Sequence, residues 1–331
     1  MSTFSSLYSH DFIRLAACVP SAKVADPDFA VEETLRLSEE GHAARAAVML
    51  FPELGLSSYA IDDLLFQEVL LDQVEAAIAR LTEASRQLYP VLIVGAPVRW
   101  QSRLFNAAVV LHRGAILGVV PKSYLPNYRE FYERRHFTSG ARVKGQHVVI
   151  AGQAAPFGVD LLFRSTASVP FTFAVEICED IWVPVPPSAR AALAGAEVLL
   201  NLSASNITIG KANMRRLLCA SQSARAVAAY AYSAAGPGES TTDLAWDGHA
   251  AIFECGDMLA ETERFAKGAT VATADIDLGR VRQERMRINS FGDCAETESA
   301  GAAPFRTVAF EPESPDEVVA LRRAVDRFPF V

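Results

Sequence analysis

Apolar and polar positions along this chain follow two rhythms. Continuous apolar runs, FIRLAACV at 12–19, AVMLFPEL at 47–54, PVLIVGAPV at 90–98, VLLNLSAS at 198–205 and AVAAYAYSAA at 226–235, read as strands buried on both faces. Between them lie stretches with the helical period. Residues 26–46 read as a helix entered at Asp26-Pro27, an N-cap and first-turn pair. Residues 62–88 read as a long helix capped by Asp62 or Asp63, with Val74, Ile78 and Leu81 on one face. Shorter helices are expected over PPSARAALAGA and over 211–227. In FNAAVVLHRGAILGVVPK the pair Arg113-Gly114 splits two strands into a hairpin, and HAAIFECGDMLAET is a second hairpin turning at Gly256-Asp257.

Buried strands separated by helices, with antiparallel hairpins added, predict a mixed-sheet α/β domain over about residues 10–290. Beyond it, residues 291–314 are small, polar and Pro-containing, which suits a linker or surface arm. A short helix over PDEVVALRRAVDRF is expected to follow. No internal repeat or low-complexity tract interrupts the pattern.

At 331 residues and 50% hydrophobic content the chain can bury a large core without disulfide staples. A net charge of −8 argues against a nucleic-acid surface. Five cysteines, an odd number with no CxxC pair, and six scattered histidines argue against a disulfide framework and a metal site. No secretory pattern opens the chain, and no apolar run approaches the roughly 20 residues of a membrane span. The expectation is a reduced, soluble, cytoplasmic protein without membrane partners.

Three strand ends carry candidate chemistry. FTFAVEICEDIW (171–182) delivers Cys178 between acidic residues, VMLFPEL delivers Glu53, and ILGVVPK delivers Lys122. Amide hydrolysis by a thiol needs a base for its proton, and Glu53 suits that role. Lys122 would supply fixed positive charge for carboxylate, thiolate and oxyanion, and the Glu179 N–H a second oxyanion donor. Taken singly, each has an ordinary structural reading. Cys178 would be buried filler, Glu53 a solvated strand end, and Lys122 a hairpin-edge lysine. Their common placement favours a site, since ligands of open α/β sheets gather at strand C-termini. A Cys178–His249 pair is the weaker alternative, because no Asn or Asp partner for His249 can be identified.

The motifs FPELGLSSYAIDDL, PKSYLPNYREFYERRHF, EICEDIW and NLSASNITIG, in this order, resemble the glutaminase domain of glutamine-dependent NAD+ synthetases, a branch of the nitrilase superfamily. The likeness runs over about residues 5–331. It implies a four-layer α-β-β-α sandwich and a Glu-Lys-Cys triad at Glu53, Lys122 and Cys178. It also implies a second glutamate, Glu133, that orients the lysine. Tyr128, Glu179 and Ser205 are implied to recognise the head group and side-chain amide of glutamine. Release of ammonia needs no cofactor. The ATP and magnesium of the family belong to a synthetase domain whose SGGxDS loop does not occur here. GPGEST at 236–241 lacks the phosphate-loop lysine and is expected to turn beside the site. The expected organisation is thus a nitrilase-like domain (1–290) and an arm (291–331) leading towards a synthetase partner in cis or trans, in a homo-oligomer. Other possibilities are a stand-alone amidase or carbamoylase acting on another small amide, and a silent module that docks a synthetase.

Overall fold

The apolar runs assemble into two sheets laid face to face. The computed structural model describes residues 3–299, 304–313, 315 and 317–323. The first stretch contains β1 (Phe12–Val19), α1 (Pro27–Ala43), β2 (Val48–Leu50), α2 (Glu68–Ala84), β3 (Val91–Trp100), β4 (Arg103–His112) and β5 (Ala115–Pro121). A hairpin of β6 (Gln146–Ile150) and β7 (Gln153–Phe157) follows, then β8 (Leu161–Ser165). Next come β9 (Thr172–Ile177), α3 (Pro187–Leu193), β10 (Val198–Ser203), α4 (Lys211–Arg225) and β11 (Ala229–Ala234). The chain continues through β12 (Ala250–Glu254), β13 (Asp257–Glu261), β14 (Thr270–Asp277), α5 (Leu278–Arg287), α6 (Asn289–Ser299) and β15 (Arg306–Phe310). The eight-stranded sheet runs β14-β1-β2-β3-β4-β5-β7-β6, and the seven-stranded sheet runs β13-β12-β11-β10-β9-β8-β15.

Side-chain alternation sorts the core into three layers. Ile13, Leu15 and Ile93 from one sheet meet Phe173, Val175 and Leu200 from the other. Their strand neighbours point outward. Met49, Leu92 and Val94 pack under the helical residues Leu37, Val74, Ile78 and Leu81. Leu199 and Tyr230 pack under Ala191 and Cys219. The result is the expected four-layer α-β-β-α sandwich of two mixed sheets. Each fully buried aliphatic side chain contributes roughly 1.5–3 kcal/mol. Among the described residues no helix is long and apolar enough to cross a membrane.

Several boundaries differ from expectation. The helix read over 62–88 begins only at Glu68, after a 3-10 turn at Asp62–Phe66. Asp62 and Asp63 cap nothing there. Asp62 accepts the Tyr132 hydroxyl, and Asp63 binds Arg135 and His136, so both serve tertiary contacts. The β4–β5 turn does fall at Arg113-Gly114, with φ of +49° and +80°. The β12–β13 turn sits one residue earlier than expected, at Cys255-Gly256, because Asp257 already pairs with Glu254.

The tail is more ordered than a linker. Residues 289–299 form α6, and β15 adds a parallel strand beside β8. Arg306 fixes it with a two-pronged contact to Asp160, 2.9 Å at each prong. A domain boundary at residue 290 would therefore detach a strand from the second sheet. The helix expected over 315–328 is not helical at 317–323, and 324–331 lie outside the described residues.

One close approach sets the position of Glu53. Past β2 the chain bends against β3, with the Phe51 N–H bonded to Ile93 O and the Leu56 N–H to Gly95 O. A Cβ at Gly95 would lie 2.4 Å from Leu54 N and 2.5 Å from Pro52 O, and backbone cannot yield as a side chain does. Gly95→Ala should therefore lower stability by about 1–3 kcal/mol, read as a reduced urea midpoint at unchanged slope. An unchanged midpoint would mean that this approach is not tight.

Candidate active site

Three strand ends and one irregular segment converge on a buried ammonium. Lys122 follows β5 directly and is fully buried. Its Nζ donates to Glu53 Oε1 and to Glu133 Oε1, each at 2.6 Å. Glu53 is held further by Asn106 Nδ2 at 2.6 Å and by the Ala204 N–H at 2.8 Å. Glu133 opens a 3-10 turn and also accepts the Tyr59 hydroxyl at 2.6 Å. Its other oxygen is buried and has no partner among the described residues. The expected site residues Glu53, Lys122 and Glu133 are thus in direct contact.

Cys178 directly follows β9 and opens a 3-10 turn, with 5% of its surface exposed. Its φ of +46° is rare for a side-chain-bearing residue and costs roughly 1–3 kcal/mol. One asparagine and one aspartate hold the turn. The Cys178 N–H donates to Asn201 Oδ1 at 3.2 Å. The Asp180 carboxylate accepts the N–H groups of Ile177 (3.0 Å) and Tyr124 (2.9 Å), fastening the thiol turn to the chain just after Lys122. Burial raises the Asp180 pKa to about 8.

The charges are uneven: two carboxylates face one ammonium. Burial works against the lysine, but the Glu133 and Glu53 charges outweigh it and hold its pKa well above the usual value. Burial pushes Glu133 up to about 7, against the attraction of Lys122. The Cys178 thiol is pushed well above its usual range by burial first and by the Glu53 charge second, with Lys122 opposing. Asp180 stands outside this balance and accepts backbone N–H groups instead.

At the mouth, the Tyr128 hydroxyl donates to Glu179 at 2.8 Å and 3.0 Å to its two oxygens. Burial raises the pKa of this half-buried carboxyl. Ser205 lies two residues beyond β10, and its buried hydroxyl has no partner among the described residues. A cleft lined by Tyr59, Glu130, Phe131, Glu133 and His136 reaches the cluster from the Glu133 side. His249 bonds Glu261 at 2.7 Å, and burial with Arg215 lowers its pKa to about 4. It forms no hydrogen bond with Cys178 among the described residues, so the Cys-His alternative has no pair.

Asn106, Asn201 and Tyr59 are parts of the site that sequence reasoning does not single out, and Asp180 acts through backbone N–H groups. For the two asparagines a signal exists, a lone amide inside the apolar runs FNAAVVL and VLLNLS. The GPGEST loop braces the site from behind. Glu239 accepts the N–H groups of Tyr59 (3.0 Å) and Ala60 (3.4 Å), fixing the tyrosine that holds Glu133.

A profile of the carbon-nitrogen hydrolase family matches residues 14–286. A glutamine-dependent NAD(+) synthetase of Mycobacterium leprae is 51% identical over 328 residues, covering 99% of this chain and 48% of that protein. The chain thus spans about half the length of the curated relatives it matches. A crystal structure of a glutamine-dependent NAD(+) synthetase from Cytophaga hutchinsonii superposes with a TM-score of 0.72 at 24% identity, over 80% of this chain and 43% of that one. An amidase from Nesterenkonia sp. superposes with a TM-score of 0.63 at 19% identity, over 86% of this chain and 96% of that one. These two structures share the fold.

The raised Glu133 pKa carries a stability consequence. From pH 4.5 to about 7 the folded protein keeps a proton at Glu133 that the unfolded chain releases. This contribution to stability is complete below the unfolded pKa and is lost as pH rises through the folded one, by at most about 1.4 kcal/mol per pH unit. Thermal unfolding of parent and Glu133→Gln across that window should show the variant gaining on the parent as pH rises. A constant difference would contradict the raised pKa.

Proposed function

The chain belongs to the carbon-nitrogen hydrolase family, and we propose that it hydrolyses the side-chain amide of L-glutamine through a γ-glutamyl thioester on Cys178. The observation that carries this reading is the Lys122 ammonium bridging Glu53 and Glu133 beside a buried thiol. A thiol is a weak nucleophile while protonated, so a base must act at the moment of attack. Glu53 takes the Cys178 proton, and Sγ adds to the amide carbon. The oxyanion so formed is met by Lys122 and by the Glu179 N–H. Glu53 returns the proton to the leaving nitrogen, the C–N bond breaks, and ammonia departs. Water then gives a proton to Glu53 and adds to the thioester carbonyl; the C–S bond breaks, and the thiolate takes the proton back.

Glu133 keeps the ammonium in place while Glu53 changes charge during each half-reaction. Tyr128, Glu179 and Ser205 bind the glutamine head group and side-chain amide. The relatives named glutamine-dependent NAD(+) synthetase favour this substrate over simpler amides. They also support a role as the ammonia-supplying half of such an enzyme, with the synthetase half in cis or in trans.

The test is ammonia release from L-glutamine by parent, Cys178→Ala and Lys122→Met proteins. The parent should release ammonia and glutamate in equal amounts. Cys178→Ala should be inactive, and Lys122→Met should lose about a hundredfold or more in kcat. Added hydroxylamine should divert the acyl group to the γ-hydroxamate. Turnover of a simple aliphatic amide but not of glutamine would assign the site to another substrate, and unchanged release by Cys178→Ala would remove the thioester.

A further inference from the structure

A buried acid two residues before the nucleophile has no part in the chemistry above. Glu176 lies on β9 with 2% of its surface exposed, and the groups that bond it are neutral. The Tyr230 hydroxyl donates to Oε1 at 2.5 Å, and the Ser188 N–H donates to Oε2 at 2.9 Å. Gln222 Nε2 in turn donates to Ser188 Oγ at 3.0 Å, so β11, α3 and α4 converge on this one carboxyl. Burial raises its pKa, against Tyr230, Ser188 and the Asn201 amide. An acid buried without a cation costs folding free energy, so its place calls for a role other than stability.

Glu176 stands in register with Asn201 of β10, and side chains in register on paired strands point to the same face. Asn201 is fully buried. Its Oδ1 accepts the Cys178 N–H at 3.2 Å and the Ser203 hydroxyl at 3.1 Å. With both donors on the carbonyl, the NH2 end of the amide must face away from the thiol turn. Nδ2 has no hydrogen-bond partner among the described residues, and the Glu176 carboxyl is an acceptor beside it. Turned over, the amide would set its NH2 against the Cys178 N–H, donor against donor.

We infer that Glu176 is a positioning residue for the nucleophile: held by Tyr230 and the Ser188 N–H, it keeps the Asn201 carbonyl turned to the Cys178 N–H and so fixes the left-handed turn that carries the thiol. The inference rests on the glutaminase reading and extends it from the reacting groups to what aligns them. The φ of +46° at Cys178 persists only where its surroundings impose it. A rotation there would move Sγ relative to Glu53 and the Glu179 N–H relative to the oxyanion. A misplacement of about 1 Å costs up to roughly a hundredfold in rate. A carboxylate only accepts hydrogen bonds, so beside Asn201 it distinguishes the two ends of the amide.

The experiment exchanges the two groups. Glu176→Gln leaves one acceptor oxygen among the donors of Tyr230, Ser188 and Asn201, and Asn201→Asp sets a second carboxylate against Glu176. Each should lose roughly tenfold or more in kcat for ammonia release from L-glutamine, with KM within about threefold of the parent. In the double variant the new amide can donate to the new carboxylate, and its kcat should exceed that of either single by about threefold or more. Tyr230→Phe, which removes only the hydroxyl on Glu176, should lose about threefold or more in kcat. Every assay runs well below the thermal midpoint of its variant, so unfolded protein does not enter. Losses that multiply in the double variant, or an unchanged kcat in Glu176→Gln or Tyr230→Phe beside a lowered midpoint, would make Glu176 a packing residue and overturn the inference. Should Asn201→Asp fail to fold alone, those two variants still decide it. A parent that cleaves another amide but not glutamine would overturn the glutaminase reading alone, and the exchange is then read on that amide.

Discussion

One buried ammonium organises this protein's chemistry. Lys122 is out of contact with water, and burying a charge costs several kcal/mol unless partners replace the solvent. Here two carboxylates do so, and each is in turn held by neutral donors: Asn106 and the Ala204 N–H on Glu53, Tyr59 on Glu133. These groups come from β4, from the turn beyond β2, from the end of β10 and from the 3-10 turn at Glu133–Arg135. The lysine is therefore both a catalytic charge and the meeting point of segments far apart in sequence. Its removal would leave two desolvated carboxylates facing each other, which like-charge repulsion would force to take up a proton or move apart.

The same arithmetic governs the thiol. A single ammonium cannot neutralise two carboxylates and also support a resting thiolate, so the excess negative charge and the burial keep the Cys178 proton on sulfur. The site is thus poised for proton transfer rather than charged in advance. That arrangement suits a nucleophile which must be unreactive until an amide has displaced water from its surroundings. The left-handed backbone at Cys178, held by Asn201 and Asp180, turns the chain out of β9 at the thiol.

Much of this was legible in the chain because strong local signals agreed with the tertiary outcome. The Asp26-Pro27 helix start and the Arg113-Gly114 hairpin stand where propensity places them, and so do the apolar strands in the main, although the run at 47–54 is a strand only over Val48–Leu50 before it turns. Cys178 and Lys122 directly follow apolar strands, and Glu53 stands three residues past the short β2, so they could be read as a set. Glu133 could not be read from its surroundings. Followed by Arg134 and Arg135 it looks like surface, and only the fold of the 123–145 segment buries it against the lysine. The β6–β7 hairpin, β8 and β14 carry no clear signal in the sequence, because they are short or partly exposed and lack a continuous apolar run. β15 was hidden for another reason: a parallel edge strand anchored by Arg306 and Asp160 draws its stability from a contact across 146 positions, which no local window contains. Aspartates before a helix usually cap it, but here three distant partners, Tyr132, Arg135 and His136, engage Asp62 and Asp63 instead.

The most direct test of the account is the ionisation of Cys178 itself. The ultraviolet thiolate absorbance of the parent, minus that of Cys178→Ser, should be followed as pH rises through neutrality. The account predicts no thiolate from Cys178 at neutral pH, with ionisation appearing only well into the alkaline range. A thiolate already formed at or below neutral pH would contradict it, because Lys122 would then be paired with sulfur, and Glu53 would have no proton to remove.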